Sequence, residues 1–373
     1  MPRIKSFEIW VCVQPRGPQY QGQGHRFADT GHVIVLKLTD EDGFEGIGTC
    51  LAERNVNVPL SYLGEIIAHF VVGKDVYDRE AIWQEIWAQD RHLLFLPIYI
   101  TGAVDVALWD LAARRSGLPL YQYIGAFRTT LPVYYSSQFM DTLDNYVQDI
   151  KQAIARGFHA YKVHSKDDLE VYRTLREVSG PEMVLIADVA ADWTYEKALR
   201  VGRMLERLDY YWFEEPFKDW NIERYARLCN ALDIPVAATE AMNGGPWGVA
   251  QAIKYQAVDI VRADVSWKNG ITGTLKIAHL AESFGMNCEI HCTIMGPMDI
   301  ANLHVSCAIR NCEYFELHMP DEVFKFPMVQ PYPIDERGFI HVPQKPGLGI
   351  DIDWDSVDNS TYKIISINNV NSG

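Results

Sequence analysis

Residues 183–188 read MVLIAD, and residues 210–216 read YYWFEEP. Both are short apolar runs that end in carboxylates. The stretch between them, from Thr194 to Leu208, repeats apolar residues at the spacing of a helix with one buried face. This pattern predicts a strand, a helix and a second strand, which is the repeating unit of a parallel sheet.

The same alternation continues in both directions along the chain. Eight short apolar runs alternate with amphipathic stretches: Leu131–Ser136, His159–Val163, Met183–Asp188, Tyr211–Glu214, Pro235–Thr239, Asp259–Ala263, Asn287–His291 and Tyr314–Glu316. We interpret this rhythm as an α/β fold in which the strands form a parallel barrel. A doubly wound open sheet is the alternative.

The residues before and after this region have a different pattern. Three predicted strands and two predicted helices come first, the strands at 3–13, 31–39 and 44–49 and the helices at 79–89 and 99–115. A tail rich in proline and glycine follows residue 328, and we expect it to run back to the first domain. We therefore predict an α+β capping domain at 1–128, the barrel at 129–327 and a returning C-terminal segment at 328–373.

Composition and charge exclude several classes of protein. The 373 residues include 34 basic and 49 acidic side chains, which give a net charge of −15. An acidic surface argues against nucleic acid and anionic membranes as partners. We find no signal peptide, no apolar run of about 18 residues and no CxxC pair among the seven cysteines. These features predict a cytoplasmic protein with reduced thiols.

The predicted barrel strands end in ionisable residues, although parallel strands are usually apolar on both faces. Asp188, Glu214 and Glu240 end three successive strands at intervals of 26 residues. Active sites of α/β barrels lie at the carboxyl ends of the strands, so we expect these carboxylates to meet there. Crowded carboxylates need a cation between them, and oxygen ligands favour a hard ion such as Mg²⁺. For each residue alone, a solvated loop position or a helix cap is the alternative.

Candidate bases lie at other strand ends. Lys162 and His164 are two residues apart on one strand, so their side chains share a face. Asp264 and His291 end neighbouring strands, and a carboxylate beside an imidazole suits the imidazole to proton transfer near neutral pH. Taken singly, an exposed lysine and a core histidine are the more ordinary interpretations of Lys162 and His164.

These residues belong to segments that span nearly the whole chain: TGAVDVALWDL (101–111), KVH (162–164), IAD (186–188), WFEEP (212–216), ATE (238–240), RADVS (262–266) and EIH (289–291). Together the segments resemble the enolase superfamily and, within it, the mandelate racemase subgroup. The resemblance implies an α+β capping domain over a modified (β/α)7β TIM-type barrel. It also implies Mg²⁺ held by residues at the positions of Asp188, Glu214 and Glu240.

The resemblance further implies a reaction and two more site residues. The shared chemistry is abstraction of the proton α to a carboxylate, which gives a metal-stabilised enediolate. The position of Lys162 usually supports the substrate carboxylate, and the position of Glu316 is that of an acid that hydrogen-bonds this carboxylate from the other side. His164 departs from the pattern, because the subgroup commonly has a second lysine there. Ala190 departs too, because many relatives have asparagine at that position.

The changed residue at 164 bears on the type of reaction. Racemisation needs two bases, whereas dehydration needs one base and one acid. Because the Asp264–His291 pair is complete and the opposite base is changed, we predict dehydration of a hydroxy acid. In the family, the common substrates of that reaction are sugar acids, which give 2-keto-3-deoxy products.

Two alternatives stay open. One is a racemase or epimerase of the same superfamily with His164 as the second base, and the other is a catalytically silent member kept for binding or assembly. His25 and Arg26, in a predicted loop of the capping domain, are candidate contacts for substrate hydroxyls or a distal carboxylate. We expect a homo-oligomer, either a dimer or an octamer, and no nucleic-acid or membrane partner.

Overall fold

The computed structural model describes residues 2–15, 30–52, 56–93, 96–166, 168–292 and 296–368. Two sheets organise these residues, a parallel sheet that curls into a barrel and a four-stranded antiparallel sheet. Within these ranges, no helix is both long and apolar enough to cross a membrane.

The antiparallel sheet begins with three strands that pair in chain order: β1 (Ile4–Pro15), β2 (Thr30–Asp40) and β3 (Glu45–Leu51). A mainly helical region follows, made of α1 (Asn57–Ser61), a π-helical segment (Tyr62–Ile67), α2 (Ala68–Val71), α3 (Arg79–Trp87), α4 (Asp90–Leu93) and α5 (Ile98–Arg115). Sheet and helices share one buried apolar cluster, so they form a capping unit with its own core.

Helix α5 lies unusually close to β3 because two glycines leave room for it. A Cβ atom added to Gly46 would lie 2.1 Å from the carbonyl oxygen of Ala107, and one added to Gly48 would lie 2.1 Å from that of Ala103. The same helix approaches the barrel through Gly102, where an added Cβ would lie 2.5 Å from the carbonyl oxygen of Val265. Helix α5 is thus the layer that joins the cap sheet to the barrel.

After α6 (Leu120–Ile124), the barrel has eight parallel strands: β4 (Thr130–Ser136), β5 (Ala160–His164), β6 (Val184–Asp188), β7 (Tyr210–Glu214), β8 (Val236–Ala238), β9 (Ile260–Ala263), β10 (Asn287–Ile290) and β11 (Phe315–His318). Seven helices connect them: α7 (Leu143–Ala155), α8 (Glu170–Ser179), α9 (Tyr195–Arg207), α10 (Ile222–Cys229), α11 (Gly245–Lys254), α12 (Gly270–Ser283) and α13 (Gly296–Ala308).

The strand order identifies the barrel. Strands β4 to β10 pair in chain order, and β11 returns to pair in parallel with β4. Among the described residues β10 and β11 share no ladder, so the barrel is nearly closed. The predicted (β/α)7β barrel with an α+β cap is confirmed, and the doubly wound open sheet is excluded.

The tail contributes to both sheets. It contains α14 (Asp321–Phe324), β12 (Phe339–His341), α15 (Trp354–Ser360) and β13 (Thr361–Asn368). Strand β12 pairs antiparallel with the start of β4, and β13 pairs antiparallel with β1, which gives the cap sheet the order β13-β1-β2-β3. The boundaries at 128/129 and 327/328 stay predictions.

The inner face of the barrel changes character along the barrel axis. Near the amino ends of the strands it carries an apolar cluster: Tyr134, Ala160, Ile186, Trp212, Ala237 and Ile260. Side chains two residues further along a strand point to the same face. On β4, β5, β6, β7 and β9 these next residues are polar or charged and buried, namely Ser136, Lys162, Asp188, Glu214 and Arg262. An apolar floor therefore supports a charged layer at the carboxyl ends.

Candidate active site at the carboxyl ends of the barrel strands

The structure places eight of the predicted site residues at the carboxyl ends of the barrel strands. Lys162 and His164 lie on β5, Asp188 and Glu214 end β6 and β7, and Glu316 lies on β11. Three others come just after β8, β9 and β10, namely Glu240, Asp264 and His291. The predicted loop residues His25 and Arg26 lie outside the described residues.

Two buried cations hold the charged layer together. The Nζ atom of Lys162 lies 2.7 Å from Glu316 Oε1, 3.1 Å from Asp188 Oδ2 and 3.5 Å from Glu214 Oε1. The Arg262 guanidinium donates from Nε to Glu214 Oε1 at 2.8 Å and from Nη2 to Glu316 Oε2 at 2.7 Å. Arg262 was not predicted as a site residue. The alternation along β9 could have indicated it, because Arg262 is two residues before Asp264.

These contacts fix the charges of the buried groups. Burial opposes a charge on Lys162, but Glu214, Glu316 and Asp188 outweigh burial and raise the pKa of this ammonium above its ordinary value. Burial also opposes a charge on Asp188, but Lys162 and His164 lower its pKa. Lys162 is therefore a cation of the buried charged layer.

Glu316 is ionised as well. Burial opposes its charge, but Lys162 and Arg262 hold the pKa of the Glu316 carboxyl well below its usual range. Its Oε1 accepts a hydrogen bond from the Ser136 hydroxyl at 3.0 Å. The implied hydrogen bond from Glu316 to a substrate carboxylate needs a proton between the two groups, and the low pKa places none on Glu316 in this structure.

Asp264 and His291 form a hydrogen-bonded pair. His291 Nδ1 lies 2.6 Å from Asp264 Oδ2, and the other carboxylate oxygen accepts the backbone N–H of Trp267 at 2.8 Å. Because a carboxylate only accepts, Nδ1 carries the proton of a neutral His291 and Nε2 has the lone pair. That Nε2 lies 3.7 Å from Glu240 Oε2, on the side of the carboxylate cluster. The pair therefore presents a proton acceptor to the mouth of the barrel.

His164 has a different environment. Its Nδ1 lies 2.7 Å from the carbonyl oxygen of Ser137, and its Nε2 lies 3.1 Å from Asp188 Oδ2. Both partners are hydrogen-bond acceptors, so each ring nitrogen of His164 faces an acceptor oxygen. This arrangement suits His164 to donate a hydrogen bond.

A third histidine, His318, was missed by the sequence analysis. It follows Glu316 by two residues on β11, and its ring lies 6.2 Å from that of His164 and 5.8 Å from that of His291. Burial lowers its pKa to about 3, against the charge of Glu316, which raises it, so it is neutral. The two-residue period of strand β11 is the signal that could have identified it.

His291, Glu316 and His318 form the one trio among the described residues whose possible metal-ligating atoms all lie within 4.8 Å of one another. The ammonium of Lys162 already lies 2.7 Å from Glu316 Oε1, and Arg262 binds the other oxygen of this carboxylate. Two of the three ligand atoms in this trio are imidazole nitrogens, whereas Mg²⁺ prefers oxygen ligands. We therefore do not assign the predicted Mg²⁺ to this trio.

Asp188, Glu214 and Glu240 fit a hard cation better. Burial raises the pKa of Glu240 well above its usual range, and Glu215 and Glu214 raise it further. Its buried Oε2 has no hydrogen-bond partner among the described residues, and Arg262 Nε lies 3.7 Å away. A divalent ion bound by oxygen atoms supplies the missing positive charge. The donor set is all oxygen, as Mg²⁺ prefers, while Lys162 and Arg262 hold Asp188 and Glu214 in their present positions.

Comparisons with known proteins identify the family. A family model described as enolase C-terminal domain-like matches residues 145–356, and the mandelate racemase / muconate lactonizing enzyme N-terminal domain matches residues 23–125. Arabinonate dehydratase of Saccharolobus solfataricus is 29% identical over 336 residues, covering 86% of this chain and 88% of that protein. D-galactarolactone cycloisomerase of Agrobacterium fabrum is 28% identical over 364 residues, covering 91% and 93%.

A solved structure extends the likeness to three dimensions. The crystal structure of D-glucarate dehydratase from Agrobacterium tumefaciens complexed with magnesium is 31% identical, with a TM-score of 0.85, and the match covers 97% of this chain and 99% of that one. Both domains and the barrel architecture are therefore shared. The chain belongs to the mandelate racemase / muconate lactonizing enzyme family of the enolase superfamily.

Proposed function

We propose that this protein is a Mg²⁺-dependent acid sugar dehydratase, which converts an aldonate or aldarate to a 2-keto-3-deoxy acid. The observation that carries the proposal is the difference between the two histidines. His291 presents a lone pair to the mouth of the barrel, and both nitrogens of His164 face acceptor oxygens. One acceptor and one donor suit the loss of a proton and a hydroxyl group.

The substrate class is proposed from the site and from the relatives. A fixed ammonium at Lys162 suits a carboxylate, and arabinonate and glucarate dehydratases are among the similar proteins. Asp188, Glu214 and Glu240 would hold the metal. When bound, Mg²⁺ supplies a positive charge that stabilises the negative charge developing on the substrate carboxylate.

This chain's own residues divide the remaining work. Lys162 binds the substrate carboxylate, and Glu316 with Arg262 keeps Lys162 in position from below. His291 Nε2 takes the α-proton, while Asp264 keeps the imidazole in the required tautomer and balances the charge that forms. The β-hydroxyl leaves as water once it has received a proton, either from His291 or from a donor on the His164 side. Loss of one proton and one hydroxide then equals loss of one water molecule.

We propose that His164 orients a hydroxyl group. A base at this position would need a lone pair, and both ring nitrogens face acceptor oxygens. Epimerisation, the second candidate function, becomes available only if substrate or metal binding withdraws Asp188 from His164 Nε2. Epimerisation can be observed directly as deuterium in recovered substrate.

The test is a screen of acid sugars in deuterium oxide with added Mg²⁺. We expect one or a few aldonates or aldarates to be converted to 2-keto-3-deoxy acids, and chelation of the metal to stop conversion. If the recovered substrate contains deuterium and has inverted configuration, and no water is lost, the protein is an epimerase and the proposed dehydratase activity is wrong. Conversion that continues unchanged in excess chelator would overturn the metal assignment.

A further inference from the structure

Trp267 contacts both members of the Asp264–His291 pair. Its indole ring is stacked on the imidazole of His291, with 4.8 Å between ring centroids and 30° between planes. Its backbone N–H donates to Asp264 Oδ1 at 2.8 Å.

The segment that carries Trp267 is held from several sides. The backbone N–H of Lys268 donates to the Asp264 carbonyl at 2.9 Å, and the buried Nζ of Lys268 donates to the Met242 carbonyl at 2.6 Å. From the cap, Trp83 Nε1 donates to the Asn269 carbonyl at 2.7 Å. These bonds hold the backbone next to Trp267, from which the indole extends over His291.

A single hydrogen bond does not stop an imidazole ring from tilting, whereas an aromatic ring packed against its face does. The bond from Nδ1 to Asp264 fixes the tautomer and the position of one ring atom, but the ring can still tilt about that bond. The torsion between Cβ and an aromatic ring is broad, so the side chain itself opposes the tilt weakly. A flat aromatic face at stacking distance restricts it.

We propose that Trp267 is a positioning residue of the reaction, whose indole face holds the His291 ring so that Nε2 stays directed at the α-proton of the substrate. The inference rests on the proposed function of His291. Misplacing a reacting atom by about 1 Å costs on the order of a hundredfold in rate, so loss of the indole face should appear mainly in kcat.

The experiment compares three variants. Trp267→Leu removes the aromatic face, and Trp267→Phe keeps a smaller one. Trp354→Leu is the matched control, because Trp354 is also a half-buried tryptophan packed on another ring, with its ring 5.0 Å from that of Trp10 in the cap. For each variant we measure kcat and KM with the best acid sugar, Mg²⁺ affinity by calorimetry and the melting temperature.

We expect Trp267→Leu to lower kcat about 10- to 100-fold while KM and Mg²⁺ affinity change less than about threefold. Trp267→Phe should restore kcat to within about threefold of the parent, and Trp354→Leu should leave it unchanged. A kcat for Trp267→Leu within about twofold of the parent overturns the inference. So does a loss that Trp267→Phe fails to restore in a variant with parental melting temperature and Mg²⁺ affinity.

A readout that needs no turnover separates this inference from the proposed function. With ¹³C-labelled histidine Cε1, the His291 signal is assigned by its absence in His291→Asn. We expect the Trp267 ring current to shift this signal upfield in the parent and in Trp267→Phe, and the shift to disappear in Trp267→Leu. If no acid sugar is converted by the parent, the proposed function fails. If the signal is unshifted in the parent, the ring contact fails.

Discussion

Four side chains of the charged layer meet beneath the site with almost no exposure to water. They are Lys162, Arg262, Glu214 and Glu316, each at most 1% exposed. Each of the two cations contacts both carboxylates. Removing one member of such a group strands the others, which typically costs about 3–5 kcal/mol of stability. A substitution in this group therefore needs a measured melting temperature beside any functional readout, whereas the histidines can be changed without stranding a buried charge.

The two histidines should differ in their importance. His291→Asn keeps a hydrogen-bonding side chain but removes the proton acceptor, so we expect kcat to fall by about 10³-fold or more while Mg²⁺ still binds. His164→Gln keeps a donor, and we expect measurable turnover. The measurement is the pair of kcat values on one acid sugar, together with α-proton exchange in deuterium oxide. If His164→Gln abolishes exchange and His291→Asn retains it, the roles are reversed.

The metal assignment can be tested on Glu214. Glu214→Gln keeps the size of the side chain and removes one negative charge, so we expect Mg²⁺ affinity to fall at least about tenfold in calorimetry. Glu206→Gln is a control on α9, outside the site, that removes the same charge from a carboxylate paired with Arg203. Equal Mg²⁺ binding by Glu214→Gln and the parent would show that Glu214 is not a ligand.

At the scale of elements, close approach of β3 and α5 depends on glycine. Gly46→Ala would place a Cβ 2.1 Å from the Ala107 carbonyl oxygen, and backbone cannot yield as a flexible side chain does. Overpacking of this kind costs about 1–3 kcal/mol, so we expect a lower melting temperature. Gly64→Ala is the control, since its added Cβ meets its nearest atom at 4.0 Å in a helical segment. Gly64→Ala should leave the melting temperature unchanged or raise it. A fall in melting temperature equal to that of Gly46→Ala would contradict the packing argument.

The elements themselves were largely predictable from the sequence. Each apolar run of the barrel became a strand, because a buried parallel strand needs such a run. The helix predicted from Thr194 begins at Tyr195, with the Thr194 side chain accepting from the Lys197 N–H as its cap. The approach of α5 to β3 was not predictable, because which glycine faces which helix depends on the packed fold.

The site was predictable where side chains follow a strand and not where they follow a loop. The strand-end residues at 188, 214 and 316 were found because they close apolar runs. His318 was missed because the predicted strand ended two residues early. Its spacing of two residues from Glu316 nevertheless indicates that the two side chains share a face of the strand. Trp267 could not be found, because its contact with His291 depends on the path of the loop after β9.

For the whole molecule, Asp105 marks the junction of cap and barrel. It lies on α5, and its carboxylate accepts the backbone N–H and the hydroxyl of Thr272 on α12, both at 2.8 Å. Burial raises the pKa of Asp105 to about 7, against hydrogen bonds from Thr272 and the charge of Arg79, which lower it. The folded protein thus holds this proton more tightly than the unfolded chain does.

The sign of the pH effect follows from that shift. A raised carboxyl pKa contributes stability that is fully present below about pH 4 and is lost as the pH rises to about 7. The loss is at most about 4 kcal/mol. Asp105→Asn has no titrating group there, so its free energy of unfolding should fall less than that of the parent between pH 5 and pH 8. Urea denaturation at both pH values measures the difference, and parallel curves for the two proteins would refute it.

The pairing of the first and last strands has a consequence for how the chain is made. Ser6 of β1 is opposite Asn368 of β13, so two neighbours in one sheet are synthesised far apart in time, with the whole barrel between them. During synthesis β1, β2 and β3 can assemble early, and all eight barrel strands emerge while one side of β1 still lacks its partner. Until residue 368 is available, β1 is an exposed edge strand with open hydrogen-bonding groups, and such an edge invites pairing with another nascent chain.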